Sequence, residues 1–339
     1  MSWNRNREIE SILRNLGNLS FQDQRVLITG GAGFLGSWIS DVLVKQEAKV
    51  ICLDNFSSGL KSNVAHLLTK DGFQLVEHDI SQTISFSEKL DLIIHMASRA
   101  SPFEFEHYPL EILKANTIGV LVALGIAKRH GARLLYTSTS EVYGDPMLVP
   151  TPESYNGNVN PVGPRGCYAE AKRCGEAYVV AYEKQYSLDA RIARIFNTYG
   201  PRIRSDGIYA RVLPRFIEQA TSGMPITIFG DGTQTRSFTY VTDQIEGLLK
   251  LAALDEAQGS IVNIGNDKET KIIDMAKLVL NITGSKSGMT YHTFPKDDPL
   301  RRRPDISSAK ELLGWRPKVL LEDGVRWTVE WLRSQKSGR

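Results

Sequence analysis

Short apolar runs recur along the chain as far as Asn197, each closed by a polar or glycine-bearing turn and followed by a stretch with helical spacing. Residues 25–29, 49–54, 73–79, 90–97, 133–139 and 190–197 carry the strand signal, and 34–46, 109–130 and 165–186 the helical one. Strands regularly separated by helices predict βαβ units, and so an α/β fold whose doubly wound parallel sheet is covered on both faces. Beyond Asn197 the rhythm breaks at Gly200-Pro201, Met224-Pro225 and Gly230-Asp231-Gly232, and only short strands are legible, at 226–229 and 261–264. That region reads as a smaller C-terminal α/β part that binds substrate against the carboxyl ends of the sheet. The expected division is a helical extension over 1–22, a sheet domain over 23–200 and a substrate domain over 201–339, with some chain crossing back to the core. The purpose of the extension is not legible.

Composition narrows the class. The 339 residues are 42% hydrophobic and 23% charged, which suits a globular fold with ample core and excludes a disordered or fibrous chain. A formal charge of +3 is small for this length and argues against a nucleic-acid partner, while leaving room for a locally basic pocket. Cys52, Cys167 and Cys174 form no paired framework and no metal spacing, as expected in a reducing cytoplasm. The start, MSWNRNREIESILRNL, is polar where a signal peptide would be apolar. No run is expected to reach the roughly 18 apolar residues of a membrane span.

Candidate chemistry begins at Thr29-Gly-Gly-Ala-Gly-Phe-Leu-Gly36, which sets glycines at 30, 33 and 36 between the first strand and its helix. The spacing permits a tight turn and close approach of the backbone to a pyrophosphate, with a helix N-terminus supplying amide donors. The second strand ends in Asp54, eighteen residues beyond Gly36. A carboxylate there accepts hydrogen bonds from an adenosine ribose and repels a 2′-phosphate. The pattern predicts a Rossmann-type domain that takes NAD rather than NADP, with Asp79 and Ile80 at the end of the third strand facing the adenine. Tyr168 and Lys172 stand at i and i+4, on one face of a helix. A phenol is a useful base near neutral pH only when its pKa is lowered, which a neighbouring ammonium does. Thr139 adds a hydroxyl at a strand end. Two residues further on, Glu141 places a carboxylate where a buried strand has little use for one.

With those residues in view, the chain resembles the extended short-chain dehydrogenase/reductase family of nucleotide-sugar epimerases, dehydratases and decarboxylases. The matching stretches are TGGAGFLGS, LDNF at 53–56, HMAS at 95–98, Asn116, STSEVYG, the Tyr168/Lys172 pair and RIFNTYGPR at 194–202. The resemblance implies that Thr139, Tyr168 and Lys172 form a catalytic triad. Tyr168 would take the proton of a sugar hydroxyl while NAD takes the hydride, and Lys172 would also hold the nicotinamide ribose. It implies a cofactor site of Gly30, Gly33, Phe34, Leu35, Asp54, Asn55, Phe56, Ser58, Gly59, Asp79, Ile80 and Ala97, together with Tyr168 and Lys172. It further implies a UDP-sugar substrate, no metal, and a homodimer pairing the helices around 103–130 and 165–186.

Residues just past the strand at 133–139 narrow the choice within the family. Thymidine-type dehydratases carry Asp-Glu where this chain has Ser140-Glu141; epimerases usually carry a small or hydroxylated residue at Glu141; guanosine-type dehydratases share Ser-Glu. Asn160-Pro-Val-Gly-Pro-Arg-Gly-Cys-Tyr168 is similar to the segment before the catalytic tyrosine of UDP-glucuronate decarboxylases (UDP-xylose synthases). Asp297-Asp-Pro-Leu-Arg-Arg-Arg-Pro-Asp-Ile306 resembles their segment bearing an arginine near the substrate carboxylate, which falls on Arg302. The implied substrate site is Ser140, Arg165, Asn197, Arg211, Phe229, Arg236 and Arg302, and the implied catalytic set adds Glu141 and Arg302 to the triad. The implied activity is conversion of UDP-glucuronate to UDP-xylose through transient oxidation at C4. The alternatives are a UDP-sugar 4-epimerase, a 4,6-dehydratase and a non-catalytic NAD-binding protein. Glu141 would weaken binding of the leaving carboxylate, handle protons near C5, or only tie down the turn after it. The chain departs from the decarboxylases at Phe229 (a tyrosine there), at Arg99 (a proline), at Ala-Glu-Ala between Tyr168 and Lys172, and by two extra residues between Arg202 and Arg211.

Overall fold

Val26, Leu27 and Ile28 are fully buried, and successive side chains enter different cores on opposite faces of their strand. Only a strand sandwiched between helical layers has that environment. The computed structural model describes residues 3–205 and 211–337. α1 (Arg5–Leu16) precedes β1 (Arg25–Thr29), α2 (Phe34–Lys45), β2 (Lys49–Asp54), β3 (Phe73–Glu77) and β4 (Leu92–His95). Then come α3 (Pro102–His107), α4 (Pro109–His130), β5 (Arg133–Thr139), α5 (Gly166–Tyr186), β6 (Ala190–Ile195), β7 (Thr198–Tyr199) and α6 (Val212–Thr221). The chain continues through β8 (Ile226–Phe229), β9 (Thr235–Ser237), β10 (Thr239–Tyr240), α7 (Val241–Ala253), β11 (Ile261–Ile264) and β12 (Glu269–Lys271). It ends with α8 (Ile272–Thr283), β13 (Met289–His292), β14 (Arg301–Arg302), α9 (Ser307–Leu313) and α10 (Leu321–Ser337).

The main sheet has seven parallel strands in the order β11-β6-β5-β4-β1-β2-β3. The chain winds outward from β1 to β3, then returns to the other side of β1 for β4. The switch point therefore lies between β1 and β4, and a crevice opens at their carboxyl ends. Val26, Ile28, Val42 and Leu248 pack on one face of the sheet; Leu27, Ile93, Val120 and Val179 pack on the other.

Two expectations are corrected. The strand at Ile261–Ile264 belongs to the main sheet, where it pairs with β6 as an edge strand rather than building the smaller part. Val262, Asn263 and Ile264 are buried there because α7 carries the chain back over the sheet before β11. α4 is, by length and composition alone, apolar enough to cross a membrane. Its apolar residues instead include Val120, Ala123 and Leu124 in the core beside α5 and β4.

The smaller part contains the β8–β13 pair and the sheet β12-β9-β14, flanked by α6 and α8. Parallel register sets Arg302 of β14 beside Arg236 of β9. The loop insertion after Arg202 falls partly at 206–210, outside the described residues. α1, capped by the Asn4 side chain, buries Ile9, Ile12 and Leu16 against α7 and α2, so the extension is a piece of the core. Ile12→Ala should lower the unfolding free energy by about 2–4 kcal/mol. The shift is read as an earlier urea midpoint, with turnover per folded molecule kept; an unchanged midpoint would show that α1 is dispensable to the fold.

Candidate active site

The crevice begins with three glycines that no other residue could replace without movement. Gly30 has φ +72°, and a Cβ on it would lie 2.9 Å from the Ala97 backbone at the end of β4. A Cβ on Gly36 would lie 2.3 Å from the Gly30 carbonyl, and one on Gly33, which precedes α2, 3.0 Å from it. Backbone thus takes the place of side chains at the floor of the crevice, with the first amides of α2 pointing toward it. Asp54 accepts from Ala32 N (3.0 Å) and Phe56 N (2.8 Å), and burial raises its pKa. Gly59 packs so close to this carboxylate that a Cβ would meet it at 2.7 Å. Asp79 accepts from Ser81 and from Asn55 Nδ2 (3.1 Å).

A cavity of about 740 Å³ runs from these glycines to the smaller part. It is lined by the expected cofactor residues Gly30, Gly33, Phe34, Leu35, Asp54, Asn55, Ser58, Gly59, Asp79, Ile80, Ala97, Tyr168 and Lys172. Phe56 is the exception. Its φ of +54° and the hydrogen bond of its amide to Asp54 turn the ring against Ala32, Cys52 and Val64, away from the cavity. The expected substrate residues Ser140, Glu141, Arg165, Asn197, Arg211, Phe229, Arg236 and Arg302 all line the cavity, as does Thr139. Ten basic and six acidic side chains line it among the described residues, an excess of positive charge at the wall of a nearly neutral chain.

Thr139 ends β5, and its hydroxyl and the Tyr168 phenol from α5 both line the cavity side by side. Burial raises the phenol's pKa and the Glu141 carboxylate adds to that; the Arg211 guanidinium, the Thr139 hydroxyl and, least, Arg302 offset only part of the rise. Lys172, expected to supply this effect, donates to the Thr137 carbonyl (2.7 Å) and lies over the Tyr136 ring. Burial lowers Lys172 to about 7, partly offset by Glu176 one turn along α5. Glu176 itself accepts from Ser138 and forms a two-pronged bond with Arg194 of β6, tying α5 to both strands behind the triad. Phe105 of α3 stacks on Tyr168 with ring centroids 5.0 Å apart. Arg99, the residue in place of a proline, pairs with Glu104 and lies 4.2 Å over Tyr108.

Glu141 lies just past β5 and is 9% exposed. Arg302 Nη1 donates to its Oε1 (2.8 Å); Arg165 donates to both oxygens, at 2.7 and 3.2 Å. Burial alone would raise this carboxyl, but the two guanidiniums, Arg302 foremost, hold it well below the usual range. Asp298 continues the chain of charges by accepting from Arg165 (2.9 Å) and Arg236 (2.8 Å). Three arginines therefore share two carboxylates. The remaining donors of Arg302, Nε and Nη2, are buried with no acceptor.

At the far end Asn197 leaves a buried amide nitrogen without a partner, and Arg211 donates to the Ala100 carbonyl (2.9 Å). Phe229 lies under the guanidinium of Arg215, 5.0 Å away. Sequence reasoning misses Asp298, Glu176 and Arg215. Asp298 had a signal, since it stands in the same Asp-Asp-Pro stretch that marks Arg302. Among the described residues no group of three or more His, Cys, Asp or Glu is placed to hold a metal ion.

A dinucleotide cradle at the switch point, a tyrosine-lysine helix and a basic chamber beyond them define a nucleotide-sugar enzyme. Residues 26–265 match the NAD dependent epimerase/dehydratase family, and the chain belongs to it. Over 319 residues it is 46% identical to UDP-glucuronic acid decarboxylase 1 of Xenopus tropicalis, covering 94% of this chain and 74% of that one. UDP-glucose 4-epimerase of Thermotoga maritima, solved with UDP-glucose, matches with a TM-score of 0.84 at 33% identity, over 92% of this chain and 100% of that one. UDP-glucuronic acid 4-epimerase of Bacillus cereus, solved with UDP-glucuronic acid and NAD, matches with a TM-score of 0.83 at 28% identity, over the same shares.

Lys172 yields a prediction with a definite sign. Folding lowers its pKa from 10.5 to about 7, so between those values the unfolded chain binds more protons than the folded one. The site's contribution to stability therefore rises with pH across that window. In cofactor-free protein, Lys172→Met should be favoured over wild type near pH 6.5, and its advantage in urea midpoint should shrink toward pH 10. A difference independent of pH would refute the buried, easily deprotonated amine.

Proposed function

We propose that this protein converts UDP-glucuronate to UDP-xylose and carbon dioxide, using NAD that is regenerated in each turnover. The observation that carries this reading is the pair of buried, unsatisfied donors on Arg302. They belong to a group of three arginines and two carboxylates, whose single uncompensated charge suits one substrate carboxylate. The similarity to a UDP-glucuronic acid decarboxylase supports the substrate. The glycine floor, the Asp54 carboxylate and Lys172 fit NAD: the first admits a pyrophosphate, the second takes the adenosine ribose hydroxyls and the third the nicotinamide ribose.

NAD, when bound, accepts hydride from C4 and later returns it. Tyr168, as phenolate, takes the proton of the C4 hydroxyl, and the cations of Arg211 and Arg302 favour that form. Oxidation makes the substrate a β-keto acid. The bond from C5 to the carboxyl carbon then breaks, its electron pair moves onto the C4 oxygen, and carbon dioxide leaves. The Tyr168 and Thr139 hydroxyls stabilise that oxygen. Water in the cavity supplies the proton to C5, and Tyr168 returns its own proton at O4. Arg302 holds the carboxylate before it leaves. Glu141 acts as a fixed anion, because a carboxyl held ionised by two guanidiniums is a poor proton donor near neutrality. Its charge opposes the substrate carboxylate but not neutral carbon dioxide, which favours the bond-breaking step.

We further propose that two copies pair through α4 and α5, where Leu110 and Ile118 are exposed, and that the protein works in the cytoplasm, where its free thiols stay reduced. Sedimentation equilibrium tests the first and cell fractionation the second.

Incubation with UDP-glucuronate and no added NADH should release carbon dioxide and a UDP-pentose in equal amounts. An epimerised uronate with no gas would instead identify a 4-epimerase. Arg302→Gln should weaken UDP-glucuronate binding about 10–100-fold and UDP-glucose binding far less, as expected on losing a charged hydrogen-bond partner. Equal losses for both sugars would remove Arg302 from the carboxylate. Glu141→Gln should retain UDP binding while turnover falls about 100-fold or more; near-normal turnover would reduce Glu141 to an anchor of the turn.

A further inference from the structure

Most of the charged wall of the chamber is internally paired. Arg165 and Arg302 share Glu141, Arg165 and Arg236 share Asp298, and Arg211 is held by a backbone carbonyl. Arg215 differs. It projects from α6 into the cavity wall; its Nε is buried without an acceptor, and its side chain makes no hydrogen bond or ion pair among the described residues. Its one close contact is the face of Phe229, with the guanidinium carbon 5.0 Å from the ring centroid. Burial lowers its pKa, with no carboxylate near enough to offset that.

A guanidinium with a buried, unpartnered Nε and no counter-ion is incompletely satisfied until an anion pairs with it. We propose that Arg215 is a further substrate-binding residue, whose guanidinium pairs with the diphosphate of the nucleotide while its plane holds Phe229 in place for the base. A neutral base offers only carbonyl acceptors and leaves the charge unbalanced, whereas the diphosphate supplies formal negative charge. Phe229 is fixed from other directions as well. His292 lies against the ring with centroids 5.9 Å apart, and Gln234 donates to the Phe229 carbonyl at 2.7 Å. The ring therefore presents a limited, preorganised face, and the arginine that covers it brings a charge with no counter-ion among the described residues. The assignment rests on the UDP-sugar reading above and adds an anchor outside the motifs that define the family.

Such an anchor binds ground state and transition state alike, since it touches no atom that reacts. Its loss raises KM more than it lowers kcat. The test uses the NAD-loaded enzyme, titrated with UDP, UMP and uridine, and assayed with UDP-glucuronate. Arg215→Gln should weaken UDP about 10–100-fold and uridine by less than about twofold, with the loss falling on KM. Arg215→Lys, which keeps the charge without the planar fork, should recover part of the UDP affinity. Raising salt should weaken UDP less in Arg215→Gln than in wild type. Phe229→Leu keeps the charge and removes the ring, so it should weaken uridine and UDP by the same factor. The assignment is overturned if Arg215→Gln leaves UDP affinity intact. It is equally overturned if uridine and UDP weaken together, for then the arginine only packs on the ring. Wild-type enzyme that binds UDP but releases no carbon dioxide would end the decarboxylase reading, while the ratio of UDP to uridine affinity would still decide Arg215. Wild-type enzyme that does not bind UDP would end both.

Discussion

A single buried carboxylate, Glu141, joins the two halves of the molecule. It sits at the end of β5 in the main sheet, and Arg302 reaches it from β14, 161 residues later in sequence. An ionised carboxylate in such a place is tolerable because two guanidiniums surround it, and removing either would strip it of one of its two partners away from water. The demand passes outward. Arg165 also needs Asp298, and Asp298 also holds Arg236, the neighbour of Arg302 in register on β9. Docking of the smaller part, the position of the helix carrying Tyr168 and the shape of the sugar chamber all depend on satisfying these five charges together.

The same burial acts in opposite senses on the two members of the tyrosine-lysine pair. It disfavours the charged form of each, raising Tyr168 and lowering Lys172 to about 7. His95, wholly buried on β4 with Nδ1 on the Thr29 hydroxyl, is pushed down to about 3 and stays neutral. The layer behind the site thus carries little free charge, apart from Glu176, which Arg194 closes off. Positive charge is concentrated on the other side of the cavity, where Arg165, Arg211, Arg236 and Arg302 line the wall. At Tyr168 the phenolate is favoured by Arg211 and Arg302 and opposed by burial and by Glu141, with the opposition prevailing in the cofactor-free protein.

Local features of this design were legible in the sequence. Short apolar runs closed by turns marked the central strands, and the glycine spacing and Asp54 marked the cradle, because each depends on residues close together in the chain. The i, i+4 spacing placed Tyr168 and Lys172 on one face, though not what the lysine would bond. Features set by distant partners were hidden. Arg165 meets Asp298 across 133 residues, and nothing local tells which of three successive arginines turns inward. Side-chain direction in loops was hidden too: Phe56 looked like part of the cofactor site until its positive φ turned it into the core. The apolar run at Ile261–Ile264 reads the same whether it edges a large sheet or builds a small one. α1 shows a helical pattern, but α7, the surface that gives the pattern its purpose, lies more than two hundred residues away.

Within a family that shares one oxidation step, the outcome turns on which charges surround the oxidised sugar. An epimerase needs a chamber in which a flat ketone can present either face, and strong fixed charges beside C5 would hold a uronate in one orientation. Here two buried donors of Arg302 lack an acceptor, and beside them Glu141 carries a charge that cannot be removed near neutral pH without breaking two ion pairs. On the decarboxylase reading proposed above, the first would grip the substrate carboxylate and the second would oppose it. The pair would then fix the ring and disfavour the charged carboxylate relative to neutral carbon dioxide. A site so arranged would turn the ketone intermediate that the family shares toward loss of carbon dioxide.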